Sequence, residues 1–130
     1  MTNSVHVAVA VIVNSEKEVL LALRHLHQHQ GGLWEFPGGK VEVDESVYDA
    51  LLREIREELA VTIQAAKPLI KIAHDYQDKS VLLDVWTVDE FAGTPQGQEG
   101  QTLRWCSIAD LVDDDFPAAN VAIIKALRKE

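Results

Sequence analysis

Glu54, Glu57 and Glu58 stand at positions i, i+3 and i+4 of a stretch with helical periodicity, which places three carboxylates on one face within about a turn of each other. Such a cluster has two readings: a solvated helix face, or a site for a cation brought from outside. No lysine follows at the spacing that would neutralise it, and Arg53 and Arg56 fall on adjacent faces. Hard oxygen ligands sharing a face suit Mg²⁺ or Mn²⁺, which bind carboxylates together with waters and substrate phosphates. The chemistry a cation held there would supply is polarisation of a bound oxygen or activation of a water. Upstream lie Gly38-Gly39 and an acidic turn with Glu42, Asp44 and Glu45. A glycine pair lets backbone approach a ligand or metal closely, so that a glycine carbonyl can complete a coordination sphere.

These residues need a frame. Ser46 with Asp49 three positions on resembles a capping box, and Val47, Leu51, Leu52, Ile55 and Leu59 recur at helical spacing, so a helix is predicted over Val47–Leu59. Val5–Val13 and Glu18–Leu23 are apolar around the turn-like Asn14–Lys17, which predicts a hairpin containing a buried central strand. Leu69–Ala73, Val81–Val88 and Thr102–Cys106 read as further strands, Ser107-Ile108-Ala109-Asp110 as a helical turn and Val121–Leu127 as a last helix. Strands interleaved with two helices imply an α/β fold, an α/β/α sandwich around a mixed β-sheet, formed by residues 1–130 as a single domain. His25–Gly32 and Pro37-Gly38-Gly39 punctuate the chain as loops. His25, His27 and His29 alternate in the first of these and read as solvated side chains rather than a metal site.

Composition narrows the function. An apolar fraction of 47% over 130 residues supports a real core. The formal charge of −9 argues against binding long nucleic acid, whose affinity comes from Lys and Arg. A polyanionic small substrate would be repelled too, unless a divalent cation sits between it and the carboxylates. Val7–Val13 is too short to span a bilayer and lacks a basic lead-in, so no membrane association is expected and the cytoplasm is the default location. Cys106 is the single cysteine, which excludes an internal disulfide and reads as a buried thiol.

Gly39, Glu45, Arg53-Glu54-Ile55, Glu57-Glu58 and Val61 match the Nudix box: glycine, five residues, glutamate, seven residues, Arg-Glu-apolar-any-Glu-Glu, then any residue, glycine and an apolar residue. The chain therefore resembles the Nudix hydrolases. One position departs, because Ala60 occupies the place of the motif's last glycine. A left-handed helix exit there would cost an alanine about 1 kcal/mol.

The resemblance implies a water activated by a carboxylate and polarised by Mg²⁺, or Mn²⁺, attacking a phosphorus of a nucleotide. It makes Glu54, Glu57 and Glu58 metal ligands together with the Gly38 carbonyl, Glu54 the general base and Arg53 the residue that orients the glutamates, with Glu45 beside it. Glu99 becomes a further metal-binding or base carboxylate, or else an exposed loop acid.

Leu33 to Lys40 and Asp115-Phe116-Pro117-Ala118-Ala119-Asn120 resemble the MutT-type branch most closely, which implies hydrolysis of 8-oxo-dGTP to 8-oxo-dGMP and pyrophosphate in nucleotide-pool sanitation. Asn120 would pair its NH₂ with O6 and its carbonyl with the N7–H that oxidation creates; the alternative is a helix N-cap before Val121. Arg24 resembles a substrate contact or is an exposed arginine. Phe36 and Trp34 line the base pocket or belong to the core. Leu33-Trp34-Glu35-Phe36 and Leu103-Arg104-Trp105-Cys106 also resemble members that act on CTP, and a non-catalytic nucleotide sensor is a third reading, disfavoured by the intact set of Arg53, Glu54, Glu57 and Glu58.

Overall fold

The computed structural model describes residues 4–24 and 32–129. His25, His27 and His29 lie outside the described residues. Among the described residues seven strands and two helices follow in order: β1 (Ser4–Ile12), β2 (Glu18–Leu23), β3 (Trp34–Glu35), β4 (Gly38–Lys40), α1 (Val47–Leu59), β5 (Thr62–Tyr76), β6 (Lys79–Ala92), β7 (Leu103–Ser107) and α2 (Ala118–Lys129), with 3₁₀ turns at Ile108–Asp110 and Asp113–Asp115. A four-stranded sheet has the order β4-β1-β6-β5, and a three-stranded sheet the order β3-β2-β7. The larger one is mixed: β1 runs parallel to β6, while β4 and β5 pair antiparallel.

Alternation along β1 divides the core in two. Val9 and Val11 pack in one cluster with Ala119, Ile123, Ile124 and Leu127 of α2. Ala8, Ala10 and Ile12 pack in the other with Ala50, Leu51, Ile55 and Leu59 of α1. The two helices thus cover opposite faces of the mixed sheet, the expected α/β/α layering, and the small side chains at Ala8 and Ala10 let α1 approach closely.

The expected first hairpin does not form as a ladder. β4 and β6 occupy both edges of β1, so β2 leaves for the second sheet and touches the end of β1 only through a bridge between Val13 and Val19. Asn14 organises this corner, its Oδ1 accepting the Glu16 and Glu18 N–H groups at 3.0 and 2.9 Å. β5 is three times longer than the apolar run Leu69–Ala73 suggested, because an edge strand tolerates the alternating polar residues and Pro68 that obscure its period. Cys106 is half-buried rather than buried, since β7 is itself an edge strand.

α1 spans the predicted residues, with Ser46 Oγ accepting the Asp49 N–H at 3.1 Å. It ends on Ala60 in the left-handed region, φ 58° and ψ 34°. Replacing this alanine with glycine removes the Cβ penalty and returns part of the gain as unfolded-chain entropy. Ala60→Gly should therefore stabilise the protein by about 0.5–1 kcal/mol, read as a higher urea midpoint at unchanged slope. An unchanged or lower midpoint contradicts this reading of the helix exit.

Candidate active site

Arg53 is the hub of the carboxylate face. Its Nε and Nη2 donate to the two Glu45 oxygens at 2.7 and 2.9 Å, Nη1 donates to Glu54 at 2.9 Å and to Glu57 at 3.4 Å, and Nη2 also donates to the Lys40 carbonyl at 3.0 Å. One planar fork thereby ties α1 to the acidic turn and to β4, a geometry that a lysine does not reproduce. The guanidinium holds the Glu45 carboxyl well below the usual range, at about 2, with the Glu42 N–H assisting. Glu45 in turn raises the Arg53 pKa above its ordinary value.

Gly39 lies against Glu54, where a Cβ would come within 2.2 Å of the carboxylate carbon, and a Cβ on Gly38 would meet the Ala8 carbonyl oxygen at 2.1 Å. Gly38 must lack a side chain so that β4 can pair with β1, whereas a side chain at Gly39 would push the Glu54 carboxylate from its place beside the strand.

Glu99 arrives from the chain after β6. Orphan carbonyls at the end of α1 accept from this segment: Leu59 O from the Gln96 N–H at 2.9 Å and Glu58 O from the Gln98 N–H at 2.9 Å. Glu99 is an exposed loop acid, yet it lies close enough to Glu54 and Glu58 to raise the pKa of both. Burial is the largest cause for each: Glu54 is raised despite Arg53, and Glu58 is pushed up to about 8, with Glu54, Glu99 and Glu35 adding to the effect. Glu57 stands apart, its side chain 61% exposed and outside the walls of the adjoining cleft.

Among the described residues no three acidic, histidine or cysteine groups form a ready-made metal cage. Mg²⁺ does not require one, since it keeps several waters and is completed by one or two carboxylates and by phosphates. Crowded hard oxygen donors, with the Glu58 carboxyl pushed up by burial and by the neighbouring acids, fit such a cation. The metal-free protein should show the effect of this crowding. Because the folded pKa of Glu58 lies above its ordinary 4.5, its contribution to stability is fully present below about pH 4.5 and is lost as pH rises toward 8; Glu54 acts in the same direction. Glu45 acts oppositely, its contribution being lost below about pH 4.5 toward pH 2. In chelator, the melting temperature of wild type should fall between pH 5 and 8 more steeply than that of Glu58→Gln. Parallel profiles would refute the half-buried, crowded state of Glu58.

Two contiguous clefts adjoin the cluster, of about 170 and 300 Å³. Val5, Val7 and Val9 of β1 with Val81 and Leu83 of β6 form the apolar wall of the first, and Phe36 stacks on Phe116 beside it at 5.6 Å between centroids. Asn120 lines this cleft from the first turn of α2. The helix begins at Ala118, not Val121, because Ala118 and Ala119 are strong helix formers; Asn120 is therefore inside the helix and is not its N-cap. Phe36 is both core and cleft wall, whereas Trp34 packs beneath the Arg104 guanidinium at 4.4 Å and lines neither cleft.

The second cleft runs from Arg24 and Glu35 past Gly38 and Gly39 to Glu58, Glu99 and Gln101. Arg24 ion-pairs with Glu35, and both line the two clefts together with Lys40. Lys79 joins them in the first cleft, so three basic residues and one acid face it in a chain of 12 basic and 21 acidic residues. Lys40, Tyr76, Lys79 and Gln101 also line the clefts, though their sequence context did not single them out. Lys40 had a signal, as the residue beside the glycine pair; Tyr76 and Lys79 reach the cleft only through the β5–β6 hairpin pairing beside β1, which no local pattern discloses.

Comparison with known proteins places this geometry. The NUDIX domain family profile matches residues 8–126. The chain is 36% identical over 123 residues to an 8-oxo-dGTP diphosphatase of Escherichia coli, covering 95% of each. It is 37% identical over 118 residues to a CTP pyrophosphohydrolase of Escherichia coli, covering 91% of this chain and 87% of the relative. Among solved structures it superposes on a MutT protein, from work on Aliivibrio salmonicida and Vibrio cholerae, with a TM-score of 0.84 and 35% identity over 98% of this chain and all of the other.

Proposed function

We propose, because this chain belongs to the Nudix family, that it hydrolyses an oxidised purine nucleoside triphosphate, 8-oxo-dGTP, to the monophosphate and pyrophosphate. Nudix enzymes hydrolyse phosphorus anhydrides and are generally dependent on a divalent metal; Mg²⁺ is the assignment here, with Mn²⁺ as a substitute. The observation that carries the reading is the continuity of the cleft: Asn120 and Phe36 at one end, the carboxylates of Glu58 and Glu99 at the other, and Arg24, Glu35, Gly38 and Lys40 shared between them.

When bound, the cation polarises the phosphate oxygens and lowers the pKa of water. Glu58 and Glu99 from the cleft wall, with the Gly38 carbonyl and with Glu57 reaching in from the exposed side of α1, would hold it. Glu54 takes the proton of the attacking water, its raised pKa favouring that role, and Arg53 fixes its carboxylate. Water oxygen bonds to phosphorus as the bridging P–O bond between the α- and β-phosphates breaks, leaving a nucleoside monophosphate and pyrophosphate. Arg24, Lys40 and Lys79 offset the phosphate charge that the rest of the surface repels. At the base, the Asn120 amide supplies one donor for O6 and one acceptor for N7–H, whereas dGTP would set an acceptor against its carbonyl.

The similarity to a CTP pyrophosphohydrolase sustains a pyrimidine reading as well. A substrate panel decides between them: kcat/KM should be highest for 8-oxo-dGTP, well above dGTP and CTP. Preferred turnover of CTP would transfer the assignment to the pyrimidine.

A further inference from the structure

Gln101 bridges the main chains of two of the glutamates assigned to the site. Its side-chain Oε1 accepts the main-chain N–H of Glu99 at 2.9 Å, and its Nε2 donates to the main-chain carbonyl of Glu58 at 3.4 Å. The amide orientation is fixed by chemistry, since the Glu99 N–H can only donate and the Glu58 carbonyl can only accept. That carbonyl also accepts the Gln98 N–H at 2.9 Å, so the end of α1 and the Glu99 loop are joined at one point. Gly97 admits the arrangement: a Cβ there would lie 2.3 Å from the Gln101 carbonyl oxygen and 3.1 Å from its Oε1. Gln101 is half-buried and lines the carboxylate cleft.

We propose that Gln101 is a positioning residue, whose side-chain amide sets the Glu99 carboxylate relative to Glu58 by clamping the Glu99 main chain to the end of α1. The inference rests on the reading of Glu99 as a site carboxylate. An exposed acid on a loop of Gln and Gly residues samples many positions, and a clamp on its own N–H restricts them without touching substrate.

Gln101→Met keeps the length of the side chain and removes both hydrogen bonds. Measured in the full chain with 8-oxo-dGTP and Mg²⁺, it should lower kcat by about 10- to 100-fold, the scale for a group that orients a ligand, with KM within about twofold and a higher Mg²⁺ concentration for half-activation. In a Glu99→Gln background the same substitution should lower kcat by less than about threefold, because its effect runs through Glu99. Equal losses in the two backgrounds, or no loss in the first, overturn the proposal. Wild-type kcat in Glu99→Gln overturns the assignment of Glu99 and of Gln101 together while leaving hydrolysis by the wild type standing. The Glu99 amide supplies a readout that needs neither turnover nor a folded variant: its hydrogen exchange in wild-type protein should be protected, and exchange at the rate of an open peptide refutes the clamp.

Discussion

Glu58→Gln should lower turnover by about 10²- to 10³-fold, the scale of removing one preorganised electrostatic group from a reacting centre. The substitution is nearly isosteric, and the Glu58 main-chain carbonyl that holds the 96–101 segment is unchanged. What disappears is the ability of a half-buried carboxyl, which receives the Gly38 N–H and is crowded by Glu54, Glu99 and Glu35, to carry negative charge toward a cation. Metal-free stability should hold or rise, as repulsion within the cluster falls. Loss of activity with preserved folding is the combination that separates a metal-holding carboxylate from a solvated face. Full activity in Glu58→Gln would return the cluster to the solvated-face reading.

The base end of the cleft gives the other large effect. Asn120→Ala removes a donor and an acceptor from the first turn of α2, leaving Arg53 and the glutamates in place. Selectivity, measured as kcat/KM for 8-oxo-dGTP over dGTP, should fall at least about tenfold, as expected for one or two buried hydrogen bonds at about 1.4 kcal/mol per decade. Asn120→Asp sharpens the test. Near a helix N-terminus a carboxylate is favourable, so the fold should be retained, yet it offers no donor to O6 and selectivity should still fall. An Asp variant with wild-type preference for the oxidised base would remove Asn120 from recognition.

The parts of this architecture visible in the sequence are those whose causes are local. α1 was legible to the residue because its cap at Ser46, its apolar period and its left-handed exit at Ala60 all lie within one short segment. The Glu54, Glu57 and Glu58 face came with it. The joining of Phe36 to Asn120 was less accessible, because it depends on β1 pairing parallel to β6 and on α2 covering the sheet face that carries Val9 and Leu83. Tyr76 and Lys79 fall at the turn end of a hairpin whose first strand hides its period behind Lys67, Pro68 and Lys71. The mistaken β1–β2 ladder has a similar origin: a turn sequence predicts that the chain reverses, not which strand claims the free edges of the next.

The central claim is metal-dependent hydrolysis of an oxidised purine triphosphate, and product analysis on metal-stripped protein tests it most directly. Incubated with 8-oxo-dGTP in chelator, the protein should release nothing; on addition of Mg²⁺ it should yield 8-oxo-dGMP and pyrophosphate in equal amounts, and inorganic phosphate should not appear as the primary product. Turnover that survives exhaustive chelation, or an 8-oxo-dGTP left intact in Mg²⁺ while another nucleotide is consumed, would contradict the account.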